Sequence, residues 1–285
     1  MGRWLYGAFL PPNMAARFDE PGEPPVLSLK ADARDNSRAM DELKRDLEGY
    51  IKNYKGKYGI YYYNIATREG FGINDTDEYT AASTIKVPLN LYLYNRISSG
   101  AVDPQETLTY SREDYEGGTG DIRYEKFGKT YAIADLSKLS IEESDNVAAN
   151  MLIRRLGADN LRQYMRQVGG VVVRDGENVS CPSDMGLYLR LIYEFDLKEG
   201  ELGKRLMNSF LNTEFNDELP ALLPKNVKVA HKIGNQVGVV NDVGIVFTSS
   251  PYILAVMSKD VSEDEARTVI ATISKMVYDC VSALE

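Results

Sequence analysis

Strand-like sequence lies only towards the two ends of this 285-residue chain, and the long middle reads as helix. Early, Lys57–Ala66 (KYGIYYYNIA) is dense in β-branched and aromatic residues, and Phe71–Ile73 follows Arg68-Glu69-Gly70 to complete a hairpin. Late, Val227–Ile233, Gly244–Ser249 and Tyr252–Ser258 read as three antiparallel neighbours joined by short turns. Between them, from Ser83 to Leu211, helices are predicted over Ser83–Ser98, Val147–Leu156, Ala158–Val168 and, after Pro182, Ser183–Phe195. Ser37 opens a further helix carrying Met40, Leu43, Leu47, Tyr50 and Ile51. Val261–Leu284 closes the chain with Ala266, Val269, Ile270, Ile273, Met276, Val277 and Val281 on one stripe. A chain whose ends pair into one sheet around a helical insert is an α+β body in two parts, and the seam between them is a natural cleft. The expected layout is a tail or linker over residues 1–35 and one domain over 36–285. That domain has an α/β lobe (36–82 and 212–285) and a helical lobe (83–211).

Charge and cysteine content exclude several functions. A formal net charge of −9 argues against nucleic-acid binding, which needs a basic face for phosphates. No apolar stretch approaches the roughly 20 residues of a membrane span. The run Trp4–Leu10 is cut short by Pro11-Pro12, so it reads as part of the tail rather than as an export signal. Cys181 and Cys280 lack metal-ligand spacing and read as free thiols. With one histidine in the chain, neither a metal nor a cofactor is expected.

Three short segments carry the chemistry. In Ala82-Ser83-Thr84-Ile85-Lys86, a lysine three residues after a serine falls on the same helical face and can reach its hydroxyl. A serine needs a base to become a nucleophile, and a lysine can be that base only where burial or a cationic neighbour lowers its pKa. A helix start at Ser83 would also aim backbone N–H groups at a developing oxyanion. In Ser144-Asp145-Asn146, Ser144 could relay a proton to a leaving nitrogen and Asn146 could hold a substrate amide. In His231-Lys232-Ile233-Gly234-Asn235, Lys232 could orient the serine hydroxyl and a substrate carboxylate. There Gly234 could let a substrate backbone approach, and the Asn235 N–H could complete the oxyanion hole. Each segment alone is ordinary: two helix caps and a strand with one lysine.

Together and in this order, Ser-x-x-Lys, Ser-Asp-Asn and Lys-x-Gly make the chain resemble the class A β-lactamase and penicillin-binding-protein superfamily. The likeness runs from about Ser37 to the C-terminus. It implies a five-stranded antiparallel sheet flanked by helices plus an all-helical lobe. It implies Ser83 as acylated nucleophile, with Lys86, Ser144 and Lys232 as catalytic partners and Asn146, Gly234 and Asn235 as substrate contacts. It further implies a β-lactam or peptidoglycan-peptide substrate and an extracytoplasmic location. Glu116-Gly117-Gly118-Thr119-Gly120 would lie on the cleft rim, or be simply a glycine-rich turn.

Three departures from the family pattern bear on activity. The omega loop, Gln167 to Pro182, is short, and its single glutamate, Glu177, reads as a solvated charge. Ile233 stands where a hydroxyl residue is usual, and Val240-Asn241 where an arginine often begins the next strand. The expectation is therefore a serine hydrolase of class A β-lactamase type, a slow one. The alternatives are a D-alanyl-D-alanine peptidase or other cell-wall acyl hydrolase, an esterase or amidase on the same fold, and a pseudoenzyme that binds β-lactam or peptide.

Overall fold

A computed structural model describes residues 26–285, with side chains from residue 36 onward. The first 25 positions of the expected tail, Trp4–Leu10 among them, lie outside the described residues. The site and both cores belong to the compact unit Ala39–Glu285.

Five strands form one antiparallel sheet: β1 (Lys57–Asn64), β2 (Gly70–Ile73), β7 (Lys228–Gln236), β8 (Val239–Phe247) and β9 (Tyr252–Lys259), in the order β2-β1-β9-β8-β7. The early hairpin thus pairs with the last strand, Tyr61 opposite Ala255, which brings the two ends of the domain together. Strand β8 begins at Val239, five residues before the sequence-based start. Val237-Gly238 close a two-residue hairpin, and Gly238, at φ +75°, takes the positive backbone angle that such a turn requires.

Alternation along β9 assigns the two faces. Tyr252, Leu254 and Val256 point into one core with Leu47 of α1 (Val26–Ile51) and Val269, Ile270 and Ile273 of α8 (Glu263–Leu284). Ile253, Ala255 and Met257 point into the other core, with Ala230 and Val243 and the helical lobe. The sheet is therefore covered on both sides, which is why β9 lacks the apolar–polar alternation of a half-exposed strand. Helix α1 starts at Val26, inside the segment read as tail. The sequence signal there was weak because apolar periodicity begins only at Met40.

The helical lobe comprises α2 (Lys86–Ser98), α3 (Ile133–Glu142), α4 (Asn146–Leu156), α5 (Ala158–Gln167), α6 (Pro182–Lys198) and α7 (Gly200–Leu211). Two small ladders pin its loops: β3 (Tyr79–Thr80) with β6 (Val179–Ser180), and β4 (Thr107–Thr109) with β5 (Thr130–Ala132). Cys181 and Cys280 are free thiols.

Candidate active site

Ser83 sits not on the α-helix itself but on a 3-10 turn, Ala82–Ile85, immediately ahead of Lys86 and α2. Ala82 adopts φ +47°, a left-handed conformation that costs roughly 1–2 kcal/mol in a residue with a β-carbon. Surrounding hydrogen bonds hold it there. The Asn178 side chain donates to Ala82 O at 3.1 Å, and the Asn241 side chain donates to Ala81 O at 3.2 Å and Thr80 O at 2.9 Å. The Thr84 hydroxyl also donates to Ala81 O, at 2.6 Å. Asn241 comes from β8 and Asn178 from the residue before β6, so sheet and omega loop together set the serine's direction.

Ser144 occupies the link between α3 and α4, also left-handed at φ +54°. Asp145 caps α4 by accepting from Ala148 N–H at 2.8 Å, and its second oxygen accepts from Ile122 N–H at 3.0 Å. These bonds satisfy an otherwise costly buried carboxylate. With the turn fixed, Ser144 presents both its carbonyl and its hydroxyl to Lys86. The Thr119 hydroxyl donates to the same carbonyl at 2.6 Å, and Asn146 Nδ2 donates to Gly117 O at 2.8 Å. The glycine-rich segment is thus scaffold for the Ser144 turn, and Glu116 lines the cleft.

Lys86 Nζ lies 3.1 Å from Ser83 Oγ, 2.7 Å from Ser144 O, 2.7 Å from Asn146 Oδ1 and 3.3 Å from Ser144 Oγ. Lys232, fully buried on β7, donates to Ser144 Oγ at 2.9 Å and to Ile233 O at 3.0 Å. A continuous polar chain therefore runs Ser83 Oγ, Lys86 Nζ, Ser144 Oγ, Lys232 Nζ, built from three segments up to 149 residues apart (232 − 83).

Burial dominates the electrostatics. Desolvation lowers the Lys86 pKa to about 8 against the opposing pull of the Asp145 and Glu116 charges. Lys232 is depressed well below the usual lysine range, by burial first and by the Lys86 charge second. Neutral Lys86 has two N–H donors and one lone pair. The two 2.7 Å acceptors can take the donors, which leaves the lone pair for the Ser83 proton.

A cleft of about 450 Å³ opens over this chain, with Ser83, Lys86, Asn146 and Asn235 on its walls. Ser144 and Lys232 sit behind the wall, 2% and 0% exposed. Gly234 is also packed closely against the nucleophile turn. A β-carbon there would fall 2.7 Å from Ala81 O and 2.9 Å from Thr84 N, so the glycine admits the nucleophile turn itself against β7.

The departures from the family pattern also take concrete form. Ile233 pairs across the sheet with Asp242, a carboxylate and not a cation. Asp242 lies 2.9 Å from His231 Nδ1 and accepts from Leu219 N–H at 2.9 Å, all fully buried. Asn235 turns its amide to the buried Glu218, 3.1 Å away, whose carboxyl pKa is raised by desolvation. Glu177 lines the cleft but is exposed. Sequence reasoning missed Asn178, Asn241, Thr119 and Glu218. Their polar side chains signal nothing until the fold supplies their partners.

The family model described as the beta-lactamase enzyme family matches residues 42–281. Among curated relatives, beta-lactamase ROB-1 of Haemophilus influenzae is 25% identical over 248 residues, 80% of each chain. Beta-lactamase 3 of Bacillus cereus is 26% identical over 249 residues, 80% of this chain and 78% of the relative. Among solved structures, PBP-A superposes with a TM-score of 0.81 at 27% identity, covering 85% of this chain and 96% of that one. A mutant of PBP-A, solved as an acyl-enzyme complex with penicillin G, superposes equally well, at 27% identity over 86% and 97% of the two chains.

Proposed function

This chain belongs to the beta-lactamase enzyme family and is a β-lactamase-like serine hydrolase, and on that premise we propose that it forms an acyl-enzyme at Ser83 with β-lactam amides. The observation that carries this reading is the 3.1 Å approach of a pKa-depressed Lys86 amine to Ser83 Oγ. In the acylation step Lys86 takes the Ser83 proton as Oγ bonds to the amide carbon. The backbone N–H groups of Ser83 and Asn235 receive the developing oxyanion. The carbon–nitrogen bond then breaks as the proton passes from Lys86 through Ser144 Oγ to the leaving nitrogen. Lys232, already donating to Ser144 Oγ, orients that hydroxyl so its own hydrogen is free to be given. Gly234 keeps strand and nucleophile turn in register.

Release of the acyl group is slow in this reading. The carboxylates on the cleft wall are Glu116, which accepts from Asn150 at 2.8 Å, and the exposed Glu177. Both side chains are exposed to solvent, and neither is held as a desolvated water-activating base. A second reading, a D-alanyl-D-alanine peptidase acting on peptidoglycan peptides outside the cytoplasmic membrane, draws support from the same short loop and from the likeness to PBP-A. Intact mass followed over time after addition of benzylpenicillin tests both. A penicilloyl adduct that persists, and is absent in Ser83→Ala, is the expected result. An adduct that clears within seconds, with turnover of a chromogenic cephalosporin, favours efficient β-lactam hydrolysis. No adduct at all removes the Ser83 assignment.

A further inference from the structure

Behind the cleft, β7 carries a second polar cluster that has no part in the proton chain. Side chains alternate along the strand, so Lys232 and Gly234 face the nucleophile turn while Val229, His231 and Asn235 face the α8 side of the sheet. Glu218 reaches that side from the segment between α7 and β7. The next residue anchors it: Leu219 N–H donates to Asp242 Oδ2 at 2.9 Å, and Asp242 Oδ1 lies 2.9 Å from His231 Nδ1. Glu218 is 1% exposed, and its Oε1 accepts from Asn235 Nδ2 at 3.1 Å. One oxygen of each group is left over. Glu218 Oε2 and Asn235 Oδ1 are both buried without a hydrogen-bond partner among the described residues. With the carboxyl ionised, both are acceptors, and leaving two such oxygens buried and unpaired is costly. A single proton on Oε2 satisfies both, because a carboxylic acid and an amide can join through two parallel hydrogen bonds.

The charged groups around Glu218 favour that proton. Arg267 of α8 has its Nε 3.7 Å from Glu218 Oε1, beyond hydrogen-bond reach, and its other nitrogens go to Asp217 at 3.1 Å and Glu263 at 2.7 Å. On β7, His231 is turned to Asp242 and Lys232 to Ser144. Burial first, then the charges of Asp242 on β8 and of Asp217, push the Glu218 carboxyl up.

We propose that Glu218 is a positioning residue of the oxyanion strand: as a neutral acid it clasps the Asn235 amide from behind and fixes the backbone N–H beside Ser83. The inference rests on the acylation reading above, in which that N–H receives the oxyanion. Strand β7 is an edge, bonded to β8 on one side only, and Asn235 stands one residue before its end. The clasp supplies a restraint that the sheet does not give there.

Glu218→Gln keeps both hydrogen bonds, its amide N–H replacing the acid proton, whereas Glu218→Ala removes them. Second-order acylation constants with benzylpenicillin, read by intact mass, are expected to fall at least about tenfold in Glu218→Ala and to stay within about threefold in Glu218→Gln. Because Glu218 acts through one amide, Glu218→Ala combined with Asn235→Ala is expected to be no slower than Asn235→Ala alone. An infrared difference spectrum between the unaltered protein and Glu218→Gln, taken near neutral pH, needs neither acylation nor a folded alanine variant. It is expected to show one protonated-carboxyl band lost. Absence of that band, a glutamine variant as slow as the alanine variant, or losses that add in the double variant overturn the clasp while leaving acylation at Ser83 standing. Absence of any adduct in the unaltered protein removes the acylation reading and this positioning role with it.

Discussion

Lys232 Nζ donates to Ser144 Oγ at 2.9 Å, joining the edge strand of the sheet to the link between α3 and α4 in the helical lobe. Both groups are buried, so the bond forms away from competing water and holds the two halves of the site at a set separation. Lys86 reaches the same hydroxyl from the other side. The two lysines thus share one oxygen, and the Lys86 charge adds to burial in lowering the tendency of Lys232 to hold a proton.

The rate of Ser83 acylation is expected to follow the neutral form of Lys86. Its pKa of about 8 places the inflection near that pH. Below it the amine is protonated and the rate rises about tenfold per pH unit, levelling above it. Glu116 stabilises the protonated amine, so Glu116→Gln should move the inflection to lower pH. Acylation rates between pH 6 and 9.5, in a buffer series of constant ionic strength, check the sign. A flat profile refutes Lys86 as base.

Ser144→Ala removes the hydroxyl between the lysines. Proton delivery to the leaving nitrogen then lacks its relay, and acylation is expected to slow by ~10²–10³, in the range for general acid–base groups. Pre-acylated protein should release its adduct at a rate little changed. Stopped-flow acylation against slow mass-spectrometric release separates the two steps.

Gly234→Ala is expected to cost acylation far more than its single methyl suggests. The added carbon would meet Ala81 O and Thr84 N, so the Ser83 turn must move away from β7. A displacement of the nucleophile by even a fraction of an ångström misaligns Oγ and Lys86. The expected outcome is at least ~10²-fold slower acylation. A variant that acylates normally, with an unshifted melting temperature, would show that the turn does not depend on this contact.

Stability should decline in alkali. Burial raises Tyr58, Tyr62 and Tyr164 each to about 12, against about 10 in an unfolded chain. For groups with raised folded pKa values, the stabilising contribution is whole below pH 10 and is lost as pH climbs through 12. Melting temperatures measured from pH 9 to 12 should fall steadily, with a step in tyrosinate absorbance accompanying unfolding. Melting temperatures that stay flat up to pH 12 would contradict the burial argument.

Much of the arrangement was legible in local pattern. The pairing of Ser83 with Lys86 follows from three-residue spacing on a helical turn, and the structure brings them to 3.1 Å. The early hairpin and the late strands declared themselves by β-branched and aromatic density, and they join through β1 and β9. The start of β8 was hidden because Val240, Asn241 and Asp242 mix apolar and polar residues. Their alternation serves two buried faces rather than one buried and one wet. Ser144 was read as a helix-start residue. Asp145 is the cap, and Ser144 precedes it in a left-handed turn that a serine does not advertise. Gly234 announced a close approach but not what approaches.

The amino-acid sequence by itself determined the order of the elements, the polarity of their faces and the residue types available to the site, because these depend on neighbours a few positions apart. Only the tertiary structure decided that one serine oxygen lies between two buried lysines and that Asn178 and Asn241 aim the nucleophile. Those relations join residues roughly 60 to 160 positions apart. Local preference does not encode distances of that kind, which appear when the two cores close and buried polar groups must find partners.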